Sequence, residues 1–193
     1  PFKGLAAVGV MFKVVQAMSE VVMPGPERRP YLNSLLDLVA LGTVADVAPM
    51  LGENRVLTRR GMQVLERTER PGLHALKAVA GTDSRPVDTT AIGFFLGPRI
   101  NSAGRLASAE LALDLLRSQD IQEAGRLAEE LNRLNTQRQD LQRAGVAEAD
   151  AEVEAEGLDA HRILVVKGDD WHLGVVGLIS GRLTEKYGRP SAV

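Results

Sequence analysis

Gly97-Pro98-Arg99-Ile100-Asn101-Ser102-Ala103-Gly104-Arg105 is the stretch on which the reading of this chain turns. Two arginines, an asparagine, two glycines and a proline crowd into it. The glycines and the proline predict an irregular loop with close backbone approach. Arg99 and Arg105 offer planar, permanently charged forks that match phosphate oxygens. Asn101 both donates and accepts hydrogen bonds. Ile92, Phe94, Phe95 and Leu96 before the stretch and Leu106 after it predict a loop rooted in a core. The residues alone leave two readings open, a phosphate-binding loop and a helix-linking turn with structural salt bridges.

Working outward, residues 5–22 repeat apolar side chains at near-helical spacing, and Gly25-Pro26 and Pro30 interrupt them. A second apolar helix is expected over 31–41, ending before Gly42-Thr43-Val44-Ala45-Asp46-Val47. Further helices are expected over 53–66, 73–80 and 109–117, the last capped by Ser108. Thr89 or Thr90 is the expected cap of the helix leading into the arginine stretch. Residues 120–156 hold no proline, and Ile121, Ala124, Leu127, Ala128, Leu131 and Leu134 form a helical stripe. A helix of that span is on the order of 50 Å long and suits a bridge between two domains. Gly157 ends it. Arg162-Ile163-Leu164-Val165-Val166 reads as a buried strand, 168–174 as a loop and 175–187 as a helix before a second strand. That is half of a βαβ unit, and it predicts an α/β domain starting near residue 160.

The chain has 193 residues, a formal net charge of -2 and no cysteine. Disulfides, thiol catalysis and zinc–cysteine sites are thereby excluded. With no overall basic excess, a polyanionic substrate needs a local positive patch or a metal ion. There is no signal peptide and no apolar run of membrane-spanning length, so no membrane association is expected. Both ends read as cuts through a longer protein.

Asp46 is the one acid in the apolar stretch from Leu41 to Leu51. Such a carboxylate suits a turn or cap, and it equally suits Mg²⁺ or Mn²⁺, which favour oxygen ligands. His172 lies in a strand-to-helix loop, between Trp171 and Leu173-Gly174, where a helix start attracts anions. Trp171 either stacks on a base or plugs a domain junction, and the plug is the favoured reading. Arg133, Asn135, Gln137 and Arg138 read either as a solvated face of the long helix, the favoured reading, or as the lining of an interdomain groove.

Three segments in order resemble the RecJ family, single-strand-specific DNA exonucleases of the DHH phosphoesterase superfamily. They are Leu36 to Val47, Gly97 to Arg105, and Trp171-His172-Leu173-Gly174-Val175-Val176-Gly177. Gly52-Glu53-Asn54-Arg55 and Leu131-Asn132-x-x-Asn135-x-x-Arg138 agree with it. The resemblance implies an α/β fold. Residues 1–118 would be the C-terminal part of the DHH domain, a parallel-sheet domain. Residues 119–157 would be the interdomain helix, and 158–193 the start of the DHH-associated domain. It implies 5′→3′ hydrolysis of single-stranded DNA to mononucleotides, in repair and recombination, with two Mn²⁺ or Mg²⁺ ions. By motif position Asp46 would be a metal ligand and a catalytic residue. Arg99, Asn101 and Arg105 would hold the substrate phosphate, and His172 would reach the scissile phosphate. Single-strand-binding protein and a helicase would be partners of a cytoplasmic monomer. The family's aspartate-rich early motifs, its Asp-His-His motif and its glycine-rich C-terminal motif are absent, so this segment alone is expected to be inactive. Two alternatives stand beside this reading. One is a DHH-type phosphodiesterase for short oligonucleotides or cyclic dinucleotides, and the other a catalytically dead replication scaffold.

Overall fold

Thirty-six residues without proline, from Ile121 to Glu156, form the helix on which the molecule is built. The computed structural model describes residues 2–83 and 85–193. The long helix is opened by Asp120, whose carboxylate accepts the Glu123 N–H at 2.7 Å. Gly157, at φ 63°, closes it in the left-handed conformation that glycine adopts freely. Before it come α1 (Ala7–Val22), α2 (Arg28–Ser34), α3 (Leu36–Ala45), α4 (Gly52–Glu66) and α5 (Pro71–Ala80). A π-helical turn (Ala91–Leu96), α6 (Gly97–Leu106) and α7 (Glu110–Arg117) follow. The long helix is α8, and β1 (Leu164–Val165), α9 (Leu173–Tyr187) and β2 (Ser191–Ala192) complete the chain.

Two cores share α8. Its first half sends Ala124, Ala128 and Leu131 against Leu65, Leu73, Leu76, Ile92, Leu96 and Leu115. Its second half sends Ala149 and Val153 against Leu164, Val175, Ile179 and Leu183. The apolar stripe weakens after Leu141 because this half is packed through small residues. A Cβ on Gly145 would lie 2.4 Å from Ile179 Cδ1, so glycine lets α9 approach. Strands β1 and β2 pair in parallel, Leu164 opposite Ser191 and Val165 opposite Ala192, with α9 as the crossover. The fold is therefore mostly helical with a small parallel sheet, an α/β arrangement. The described residues up to 118 include no strand, so this segment contributes helices and not the sheet that the resemblance attributes to the first domain. Among the described residues no helix is long and apolar enough to cross a membrane.

The arginine stretch is helical, not a loop. Proline inside a helix lacks an N–H and its ring strikes the carbonyl four residues back. Here the preceding turn widens to the π form, with Gly97 N–H bonded to the Ile92 carbonyl. The wider turn brings Pro98 in at the first turn of α6, where a missing N–H costs nothing. Gly97 serves helix contact, because a Cβ there would sit 3.1 Å from the Ala45 Cβ. The cap upstream is Asp88, which accepts the Ala91 N–H at 2.7 Å; neither Thr89 nor Thr90 makes that bond. Ser108 does accept the Glu110 N–H, at 3.2 Å.

The helix expected over 31–41 is two helices. Pro30 falls in the first turn of α2, and α3 runs on through Gly42 to Ala45. Asp37, an ordinary helix acid by its sequence position, is buried and accepts from Leu38 N–H, the Thr68 hydroxyl and Arg70 Nε. After Asp46, Val47 takes φ 53°. The Val47 N–H bonds the Val44 carbonyl at 3.0 Å and the Ala48 N–H bonds the Thr43 carbonyl at 3.2 Å. That is a helix-ending motif normally built on glycine. A β-branched residue in the left-handed region costs about 1–2 kcal/mol, and the Val47 side chain is 87% exposed, so packing does not repay it. Val47→Gly is expected to raise stability by about 0.5–1 kcal/mol, after glycine's own entropic cost. A urea unfolding midpoint that stays put or falls would contradict this.

Candidate active site

The helical form of the arginine stretch decides which of its side chains share a face. Phe94, Pro98, Asn101 and Arg105 follow at spacings of four, three and four, one stripe along the helix. Arg99 faces the other way. Its Nε donates to Asn132 Oδ1 at 3.0 Å, Nη1 to the Phe95 carbonyl at 2.6 Å and Nη2 to the Val79 carbonyl at 3.4 Å. Burial holds its pKa below the usual arginine value. Arg99 thus ties α6 to α8 and α5. Ser102 adds to the same seam, its hydroxyl lying 2.6 Å from the Arg99 carbonyl and 3.3 Å from that of Leu131.

The stripe lies between the end of α3 and the middle of α8. Asp46 caps the C-terminus of α3 and is exposed. Its carboxylate makes no hydrogen bond or ion pair among the described residues. With Asn101, Ile100, Gly42 and Ala45 it lines a cleft of about 360 Å³. Asp46 and Asn101 are therefore brought together.

Arg105 stands one turn further along α6. Its Nη1 donates to the Gly174 carbonyl at 3.1 Å. A Cβ on Gly174 would lie 2.0 Å from the Arg105 carbonyl oxygen, so α6 and the start of α9 touch through a glycine. His172 caps α9, its Nδ1 accepting the Gly174 N–H at 3.0 Å. Arg105 and His172 are thus joined through Gly174. The imidazole is exposed and uses only one nitrogen in the cap. Trp171 belongs with the second core. It packs against the second core and over Gly168, and its Nε1 donates to Glu148 at 2.6 Å.

Arg138, for which the sequence favoured a solvated face, is partly buried near Arg105. Its Nη1 donates to Gln142 Oε1 and its Nη2 to Asn135 Oδ1, each at 3.0 Å. Among the described residues its buried Nε has no partner. Burial, and then the positive charge of nearby Arg105, lower its pKa. Two like charges without a carboxylate between them, one carrying a buried orphan donor, form a site that an anion would satisfy. The signal in the sequence was the Asn135-x-x-Arg138 spacing, which puts an amide acceptor one turn before the guanidinium. His74 and His161 are exposed and lie outside this cleft.

The metal question rests on the donor set. Asp46 is an oxygen donor of the kind Mg²⁺ and Mn²⁺ take, with no cation beside it. No group of three or more His, Asp or Glu side chains that could hold an ion occurs among the described residues. These residues therefore fit one ligand of a centre and not a complete one.

No protein-family model matches the chain. It is 39% identical over 193 residues to the single-stranded-DNA-specific exonuclease RecJ of Bacillus subtilis, covering 100% of this chain and 23% of that protein. It is 39% identical over 202 residues to RecJ of Escherichia coli, covering 98% and 35% respectively. The crystal structure of RecJ with Mn²⁺ from Thermus thermophilus superposes with a TM-score of 0.81 at 34% identity, over 95% of this chain and 26% of that one. A structure of exonuclease RecJ bound to manganese superposes with a TM-score of 0.83 at 33% identity, over 98% and 46%. The chain thus spans about a quarter to a third of the curated relatives it matches. Along its whole length and in fold, the chain is similar to a segment of the exonuclease RecJ.

Proposed function

We propose that these residues form the phosphate-binding half of a metal-dependent 5′→3′ exonuclease acting on single-stranded DNA. The observation that carries this is the Arg105–Arg138 pair, with the buried Arg138 Nε that has no partner among the described residues. Arg105 and Arg138 would grip the substrate phosphate and offset the charge that grows on it during hydrolysis. Asn101 would orient an oxygen of the same phosphate, and His172 would meet the scissile phosphate from α9. Arg99 would act through α6, keeping Asn101 and Arg105 in register with α8. Asp46 would be one ligand to Mn²⁺ or Mg²⁺, the ions found with the similar structures. Bound ions supply Lewis acidity and an activated water.

One carboxylate does not hold two ions, so the isolated segment is expected to be inactive. We assign 1–118 and 158–193 to two domains joined by 119–157, a division supported by the two cores on α8. A cytoplasmic monomer, working with single-strand-binding protein and a helicase in DNA repair and recombination, completes the reading on the family resemblance.

The test is hydrolysis by the full-length protein that carries this segment, in Mn²⁺, with duplex, single-stranded and 5′-phosphorylated single-stranded DNA. Stepwise release of mononucleotides from the 5′ end of single strands, abolished by chelator, is expected. Cleavage confined to dinucleotides or cyclic dinucleotides would replace the exonuclease reading, and no hydrolysis at all would leave a scaffold.

A further inference from the structure

Asp46 is presented from a turn that side-chain packing does not hold. Val47, the next residue, lies at φ 53° with its side chain in water. Pro49 and Leu51 are exposed as well. A β-branched residue stays in the left-handed region only where its surroundings fix it, and such strain gathers at functional sites. Within the turn the backbone bonds are local, Val47 N–H to the Val44 carbonyl, Ala48 N–H to that of Thr43 and Leu51 N–H to that of Pro49. Among the described residues one side chain alone bonds to the turn. It is Asn54, in the first turn of α4, whose Nδ2 donates to the Pro49 carbonyl at 3.0 Å.

Asn54 is fully buried. Its Nδ2 also donates to the Gly4 carbonyl, at 2.6 Å. With two carbonyl oxygens on one side, the amide nitrogen has to face them. The amide oxygen then points away, and among the described residues it has no partner. A buried acceptor without a donor costs free energy that an apolar side chain of the same size would not cost. Packing therefore does not account for the amide. What the amide contributes is a fixed link between the 2–5 segment and the turn that follows Asp46. The same segment packs on the start of α4, since a Cβ on Gly52 would sit 2.9 Å from the Phe2 ring.

We propose that Asn54 is a positioning residue for Asp46. By holding the Pro49 carbonyl against the 2–5 segment, it sets the direction in which the Asp46 carboxylate is offered to a divalent ion. The proposal rests on the reading of Asp46 as a metal ligand, and it adds the residue that aims that ligand. Asn54 touches no reacting atom and acts through the turn. Groups that orient a ligand from behind typically change metal affinity about 10- to 100-fold when they are removed.

The experiment measures Mn²⁺ binding to the full-length protein from the electron paramagnetic resonance of the free ion, with no turnover involved. Asn54→Leu keeps the volume of the side chain and removes both donors. Its Mn²⁺ affinity should fall about tenfold or more, while KM for a single strand stays at the parent value. Val153→Ala opens a cavity in the second core, so it should lower the unfolding midpoint and leave Mn²⁺ affinity unchanged. That control separates positioning from a general loss of stability. If Asn54→Leu fails to fold, Pro49→Gly loosens the same turn at an exposed position and should weaken Mn²⁺ binding in the same direction. Parent-like Mn²⁺ affinity in Asn54→Leu, or in Pro49→Gly where only that variant folds, overturns the positioning role and leaves Asp46 as a ligand. A fall in Val153→Ala as large as that in Asn54→Leu overturns it as well. An Asp46→Ala variant that binds Mn²⁺ like the parent overturns the ligand reading, and the proposal with it.

Discussion

Asp46→Ala is expected to lower Mn²⁺-dependent turnover of the full-length protein by about a thousandfold or more, while its unfolding midpoint stays within experimental scatter. The first half follows from the assignment of Asp46 as a metal ligand. Lewis-acid stabilisation is worth several kcal/mol, and each 1.4 kcal/mol is about tenfold in rate. The second half follows from geometry. The carboxylate is exposed and bonds to nothing among the described residues, and changes at such positions shift stability by only about 0.5 kcal/mol. Loss of activity with the fold intact separates a ligand from a helix cap. Turnover unchanged in Asp46→Ala would take Asp46 out of the site and leave it as the end of α3.

Arg105→Ala is the second large effect, a drop of about a hundred- to a thousandfold in kcat/KM on 5′-phosphorylated single strands. Removing one preorganised donor from a site where charge develops costs about that much. Arg105→Lys should recover only part of it. A lysine supplies the charge and loses the fork, and the fork here also spans to the Gly174 carbonyl. Full rescue by lysine would reduce Arg105 to a point charge. Loss of less than tenfold in the alanine variant would place the phosphate elsewhere.

Much of the fold was legible in the residues. The long helix announced itself by length, a lack of proline, an apolar stripe and a closing glycine, and the strand–loop–helix–strand order near the end is what the structure contains. The errors have particular causes. Gly97, Pro98 and Gly104 read as loop punctuation because composition does not show a π-helical turn. That turn admits a proline into a continuous helix, and Gly97 serves a contact between helices. Two consequences followed. Arg99 was grouped with Asn101 and Arg105, although the helix turns it toward Asn132 and two buried carbonyls. Arg138 was left on a solvated face because neither its burial nor its nearness to Arg105 is written in local spacing. Asp37 shows the same limit, since its partners Thr68 and Arg70 lie more than thirty residues away. Local pattern predicts elements, and the charges that matter are set where distant elements meet.

The most direct measurement is a double-mutant cycle on Arg105 and Arg138. The parent, Arg105→Ala, Arg138→Ala and the double variant are compared in kcat/KM for a 5′-phosphorylated single strand. If the two guanidinia grip one phosphate, the losses are not additive, and a coupling of about 1–3 kcal/mol is expected. Additive losses, or an Arg138→Ala variant as active as the parent, would contradict a shared anion site and with it the assignment of this cleft as the phosphate-binding half of the enzyme.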